Sequence, residues 1–175
     1  RQPVMQALRL LKRDGFVQDA PLAGVPNGRC RGLQVTPLDP AWIVQVYEVR
    51  GALDALAARL AAEQRTRIDP ALLRRGRTAV AAGDIRAMID ADLAFHRALY
   101  QASANPLIEQ SALLHWQHIR RAMGEALQHA TLREPVWDEH AAIAEAVREG
   151  DVARAEALMR DHSAQAGLYL SQQIG

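Results

Sequence analysis

Asp92 and His96 stand four residues apart in MIDADLAFHRALYQASANP, residues 88–106, among positions that are otherwise apolar at helical spacing. Each helical residue advances about 100°, so residues four apart differ by only about 40° and share a face. The pair falls in the middle of the stripe Ile85, Met88, Ile89, Leu99 and Tyr100, not on its flank. His140 occupies the centre of a second stripe (Val136, Trp137, Ile143, Ala144, Val147), and His162 the centre of a third (Val152, Ala155, Leu158, Met159, Ala166, Tyr169). Three helices thus aim an imidazole inward, and one adds a carboxylate. An unpaired buried carboxylate is costly enough to neutralise instead, and buried rings need partners for both nitrogens. A divalent cation bound by all four would meet both needs. Three nitrogens and one oxygen suit zinc first, with nickel, manganese or iron as alternatives, and leave open positions on a six-coordinate ion. The residues alone leave a plainer reading open: each His bonded to a backbone carbonyl, and Asp92 paired with an arginine such as Arg50.

Arg50 is a further inward charge, lying among Val46, Val49, Leu53, Leu56, Ala57 and Leu60 on the first long helix. A guanidinium beside an open-sided metal would clamp a carboxylate ligand; a salt bridge to Glu48, Asp54 or Asp92 is the alternative. His115 lies near the apolar side of its helix and is a candidate to line the same cavity. His118 and His129 fall on that helix's polar side, and Glu109, Glu125 and Glu139 read as surface carboxylates.

The elements that must position these groups are nearly all helices. Residues 3–14 read as a short helix stopped by Gly15, followed by two short strands, FVQ and GLQV, around a Gly- and Pro-rich loop. TPLDP, residues 36–40, is the linker, because its prolines interrupt regular structure. Six helices are then expected: 41–64; from Pro70 behind an Asp69 cap; from Asp84 to Ser103; 106–129; from Pro135 to Gly150; and from Asp151 almost to the end. Short connections make this an all-α antiparallel bundle, residues 37–175, preceded by a smaller unit, residues 1–36.

Bulk properties narrow the class. The chain has 175 residues, a net charge of +1 and one cysteine, Cys30. That excludes a disulfide framework and a strongly polyanion-binding chain, and suits a reducing compartment. Without a long apolar run or a signal-peptide pattern, a soluble cytoplasmic protein with no membrane partner is expected. The first residue is Arg, inside a helical pattern, so the natural N-terminus is expected to lie further upstream.

Several stretches together resemble one family. RQPVMQALRLLKRDGFV resembles the end of the winged helix-turn-helix of GntR-family transcription regulators. VYEVRGALDALAARLAAE, DADLAFHRALYQASANP and EHAAIAEAVREGDVARAEALMRDHS resemble the FCD effector domain of the FadR subfamily. The resemblance implies a homodimeric, ligand-responsive regulator, more often a repressor, that binds operator DNA and a small organic acid. It implies a divalent metal on Asp92, His96, His140 and His162, effector binding by Arg50, and DNA contact near Arg1. Arg9, Lys12 and Arg13 could lie near phosphates or simply form a solvated face. Met5 stands where the family often has a DNA-contacting Arg, so operator preference does not carry over. The competing expectation is a metal-dependent enzyme acting on a small carboxylic acid, since such an ion can activate water.

Overall fold

The computed structural model describes residues 2–20, 32–129 and 135–174. Arg1 and Cys30, and with Arg1 the expected DNA contact, lie outside the described residues. The chain divides into two compact units, Arg1–Leu38 and Asp39–Gly175. The first contains α1 (Gln2–Arg13) and an antiparallel pair of short strands, β1 (Val17–Asp19) and β2 (Leu33–Val35), with Gln18 opposite Gln34.

Among the described residues the second unit is a bundle of six helices: α2 (Pro40–Glu63), α3 (Pro70–Ala82), α4 (Ile85–Ala102), α5 (Pro106–His129), α6 (Val136–Glu149) and α7 (Val152–Gln173). Local chemistry sets their ends. Asp39, Asp69, Asp84 and Asp151 each accept a hydrogen bond from a first-turn backbone N–H of the helix they precede. Pro40 and Pro70 sit at N1, where the missing donor costs nothing. Gly83 (φ 65°) and Gly150 (φ 75°) close α3 and α6 in the left-handed conformation that glycine adopts without strain.

Small residues govern how closely the helices approach. Ala58, Ala61 and Ala62 on α2 pack with Phe95 and Leu99 on α4, Ile143 and Val147 on α6, and Met159 on α7. The long helices α2 and α7 run antiparallel: Gly51 lies against Ser163, and Tyr47 against Gly167. The inner face of α2 is centred on Tyr47, Arg50, Asp54, Ala58 and Ala61, all buried. Val49, expected inward, is 52% exposed, because the face lies one residue further round the helix than the apolar pattern suggests.

One contact leads directly to the polar centre. Gly76 of α3 has no room for a side chain: a Cβ there would overlap the Trp137 ring of α6. Trp137 in turn packs edge-on against His140, with centroids 4.7 Å apart. Gly76→Ala is therefore expected to push Trp137 off its seat and lower stability by about 1–3 kcal/mol, as over-packing of a full core does. Urea unfolding followed by tryptophan fluorescence measures this; an unchanged midpoint would show that the ring has free space to move.

Candidate metal centre

Asp92 and His96 come from α4, His140 from α6 and His162 from α7; all four are buried. One ligand-capable atom from each lies within 4.8 Å of the other three. His140 Nε2 is 3.1 Å from His162 Nε2 and 3.5 Å from Asp92 Oδ1, and His96 Nε2 is 3.9 Å from the same oxygen. Donors bound at about 2.1 Å to one ion lie about 3 Å apart when adjacent and about 4 Å when opposite, so a shared cation would need only a small contraction of the cluster. The hydrogen-bond pattern points the same way. His162 Nδ1 is 2.8 Å from Glu139 Oε2, so its proton sits on Nδ1 and its Nε2 lone pair faces the cluster. His96 has both ring nitrogens buried without a well-formed hydrogen bond. A cation at the cluster would give Nε2 the partner it lacks.

Behind His96 lies a second polar group. Asp54 of α2 is fully buried, and its Oδ2 is 3.4 Å from His96 Nδ1 and 3.0 Å from Arg50 Nε. The latter contact is an ion pair too poorly aligned to be a hydrogen bond. Tyr100 donates to Asp54 Oδ1 at 2.5 Å, and Ser163 donates to Oδ2 at 3.2 Å. Arg50 also lies 4.3 Å from the centroid of the Trp116 ring and 5.2 Å from that of Tyr47.

These surroundings decide the protonation states. Burial above all, then Arg50, His140 and His162, holds His96 well below the usual imidazole value of 6.5, so the ring is neutral. Burial pushes the Asp92 carboxyl above its ordinary value, partly offset by Arg50 and His162. For Arg50, burial opposes the charge, but Asp54, Tyr100, Tyr47 and Asp92 outweigh it, and the guanidinium is held above its ordinary range. A neutral His96 ring, the Asp92 carboxyl and the nearby Arg50 guanidinium are groups suited to receive a metal ion and an anion.

A cavity of about 40 Å³ adjoins the cluster, lined by Arg50, Asp92 and His162 and by residues of α2, α5, α6 and α7. His115 is partly exposed and does not line it; its neighbour Trp116 is the α5 residue over Arg50. Glu139, expected at the surface, instead reaches His162, because the N-terminal end of α6 packs against α7. Asp54 appeared in the sequence only as one alternative partner for Arg50. Its i+4 spacing from Arg50 was the available signal, while its links to α4 and α7 depend on tertiary contacts.

The bundle and its inward His and Asp cluster define the structural class first: an all-α domain built around a polar centre. The family follows from sequence. The FCD domain matches residues 45–165, a span that includes all four cluster residues, Arg50 and Asp54. The chain belongs to the FCD-domain group of the GntR family. It is 30% identical over 167 residues to an uncharacterized HTH-type transcriptional regulator in an unstable DNA locus of Streptomyces ambofaciens, covering 93% of this chain and 66% of that protein. It is 32% identical over 183 residues to the HTH-type transcriptional regulator LutR of Bacillus subtilis, covering 93% and 80%. The chain thus spans just under two thirds of the Streptomyces relative. Among solved structures, E. coli McbR/YncC superposes with a TM-score of 0.77 at 18% identity, covering 98% of this chain and 85% of that one. A structure of Lar, which controls expression of the Listeria monocytogenes agr system, gives 0.71 at 18% identity, covering 98% and 80%. At that identity these two show the fold alone.

Two outcomes follow from the geometry. Asp54→Ala leaves the buried Arg50 charge uncompensated and should cost about 3–5 kcal/mol in urea unfolding, whereas the double change Arg50→Met with Asp54→Leu should recover most of that loss. A double variant as unstable as the single one would refute the charge explanation. The second outcome concerns pH. His96 is depressed in the folded state, so its contribution to stability is present above the unfolded value of about 6.5 and is lost as pH falls below it. Asp92, raised, acts oppositely: its contribution is present below the ordinary carboxylate value and is lost as pH rises through its elevated one. Chelator-treated protein should therefore lose stability between pH 7 and 5.5 through His96, with a smaller loss in His96→Leu. Urea midpoints at the two pH values report this, and an equal loss in both proteins would assign it elsewhere.

Proposed function

We propose that the chain is the effector-binding part, with an adjoining segment of the DNA-binding part, of a ligand-responsive transcription regulator, in the first instance a repressor. Asp92, His96, His140 and His162 hold one divalent ion, with zinc the first choice and nickel, manganese or iron the alternatives. When bound, the ion anchors a small organic acid at its open positions. Arg50 faces the acid's carboxylate from α2, with Trp116, rather than His115, supporting the guanidinium from α5. Residues 1–36 belong to a winged helix-turn-helix in which Arg1 lies near operator DNA, and the functional unit is a homodimer. Effector binding shifts the equilibrium between bundle conformations and so changes operator affinity.

The observation that carries this reading is the convergence of four buried ligand atoms from three helices inside the FCD match. The names of the relatives, both HTH-type transcriptional regulators, support the DNA-binding role. A binding role also fits the outer carboxylates better than catalysis does. Asp54 is engaged by Arg50, Tyr100 and Ser163, and Glu139 by His162, so each already serves the centre rather than standing ready as a general base.

Elemental analysis of protein purified under metal-replete conditions should find close to one divalent ion per chain, and His140→Ala with His162→Ala should abolish it. Glu139→Gln should keep the ion but weaken its affinity by about 10–100-fold, the usual effect of removing an outer carboxylate. Gel shifts with the full-length protein should show operator binding that changes when an organic acid is added. Metal-free protein from such a preparation would overturn the centre; turnover of the acid would overturn the regulator.

A further inference from the structure

Two buried hydrogen-bond donors face one carboxylate oxygen, and neither has secured it. Arg50 Nε lies 3.0 Å from Asp54 Oδ2, and His96 Nδ1 lies 3.4 Å from the same atom. Neither nitrogen makes a hydrogen bond to any described residue. The reason is occupancy. A carboxylate oxygen offers about two lone-pair positions, and Ser163 already donates to Oδ2 at 3.2 Å. Tyr100 holds the other oxygen at 2.5 Å, which keeps the carboxylate from turning to serve both claimants. One position on Oδ2 is therefore left for two donors, which approach from different helices, α2 and α4. A buried donor without a partner keeps the full cost of leaving water, so which of the two gains Oδ2 matters energetically.

His96 carries this contest into the cluster. Its ring presents Nδ1 to Asp54 and Nε2 to the cluster, 3.9 Å from Asp92 Oδ1. A neutral imidazole has one ring proton, and the nearer carboxylate, able only to accept, keeps it on Nδ1 and leaves the Nε2 lone pair for an ion. We infer that Asp54 is a positioning residue for His96, and that its Oδ2 is a shared contact: an ion at Nε2 turns it toward His96 and away from Arg50. This rests on the metal-centred reading above and adds a route by which occupancy of the centre is felt at Arg50. Coordination at one ring nitrogen strengthens the other as a donor, so His96 gains Oδ2 as Arg50 loses it. Arg50 Nε then needs a new acceptor, and Arg50 lines the cavity where an anion would supply one. By reciprocity, an anion that draws Arg50 away leaves Oδ2 to His96 and tightens its hold on the ion.

The test uses full-length protein stripped with a chelator and then titrated with zinc. Nitrogen NMR of isotope-labelled histidine in the stripped protein should show His96 as the Nδ1–H tautomer. Arg50→Met with Asp54→Leu should abolish that preference. The double change removes one charge of each sign, so the net charge beside the cluster is kept. Its zinc affinity should fall by about 10–100-fold, as loss of an outer carboxylate does. Ser163→Ala should act with the opposite sign. It frees a position on Oδ2 and should raise zinc affinity by about two- to tenfold, the worth of one hydrogen bond. A Ser163 that only packs would leave the affinity level or lower. Wild-type protein that takes up no zinc overturns the centre and this inference with it. Undiminished zinc affinity in the double variant, or an Nε2–H tautomer in the wild type, overturns the role of Asp54 alone. Affinity that does not rise in Ser163→Ala overturns the sharing of Oδ2.

Discussion

The buried carboxylate of Asp54 is the constraint on which the polar centre depends. An arginine placed inside a bundle of alanine and leucine is tolerable only with a counter-charge, and Asp54 supplies it one turn along the same helix. The same carboxylate takes a hydroxyl from α4 through Tyr100 and another from α7 through Ser163. Three helices are thereby fixed about one point by polar contacts, which specify a geometry more narrowly than apolar packing does. Two of the three are the helices that carry Asp92 with His96, and His162. The register of the cluster is thus tied to a group that is not a member of it.

Much of this architecture is legible in the sequence. The ends of α2, α3, α4 and α7 are marked by aspartates and prolines whose roles are local, so they can be read without knowledge of the tertiary structure. The cluster is legible for a related reason: Asp92, His96, His140 and His162 interrupt apolar stripes at their centres, where solvent offers no relief. What escapes is whatever depends on helix phase or on contacts between helices. A shift of one residue round α2 turns Val49 outward, and a similar one on α5 brings Trp116, not His115, over Arg50. Glu139 looks like a surface residue because it lies one position from a buried one, yet it is near enough to the α6–α7 seam to reach His162.

Small side chains explain how a centre of this polarity is enclosed at all. Glycines at 51 and 167 let α2 and α7 come close enough for Ser163 and Tyr47 to fill the space a Cβ would need. That close approach lets the short Asp54 side chain reach Ser163 and keeps water from the Arg50 ion pair. The electrostatic effects of the cluster are strong because the helices exclude solvent, and exclusion depends on residues with no charge of their own.

Charge balance gives the proposed ion and effector a common logic. Without an ion, the buried groups Asp54, Asp92 and Arg50 leave one negative charge in excess, and burial strains it: Asp92 is driven toward its protonated form. A divalent cation at the four ligands relieves that strain but reverses the excess, leaving one positive charge in a space shielded from water. Glu139 offsets this only in part, since its side chain is 25% exposed and solvent screens it. The remaining imbalance is met by one carboxylate arriving between the ion and Arg50, in a low-dielectric setting where that meeting is worth far more than at a surface. A dianion would overshoot, and a neutral molecule would leave the excess in place. In this reading the ion makes the bundle sensitive to a monoanion, and the Arg50–Asp54 pair sets how strongly the bundle responds.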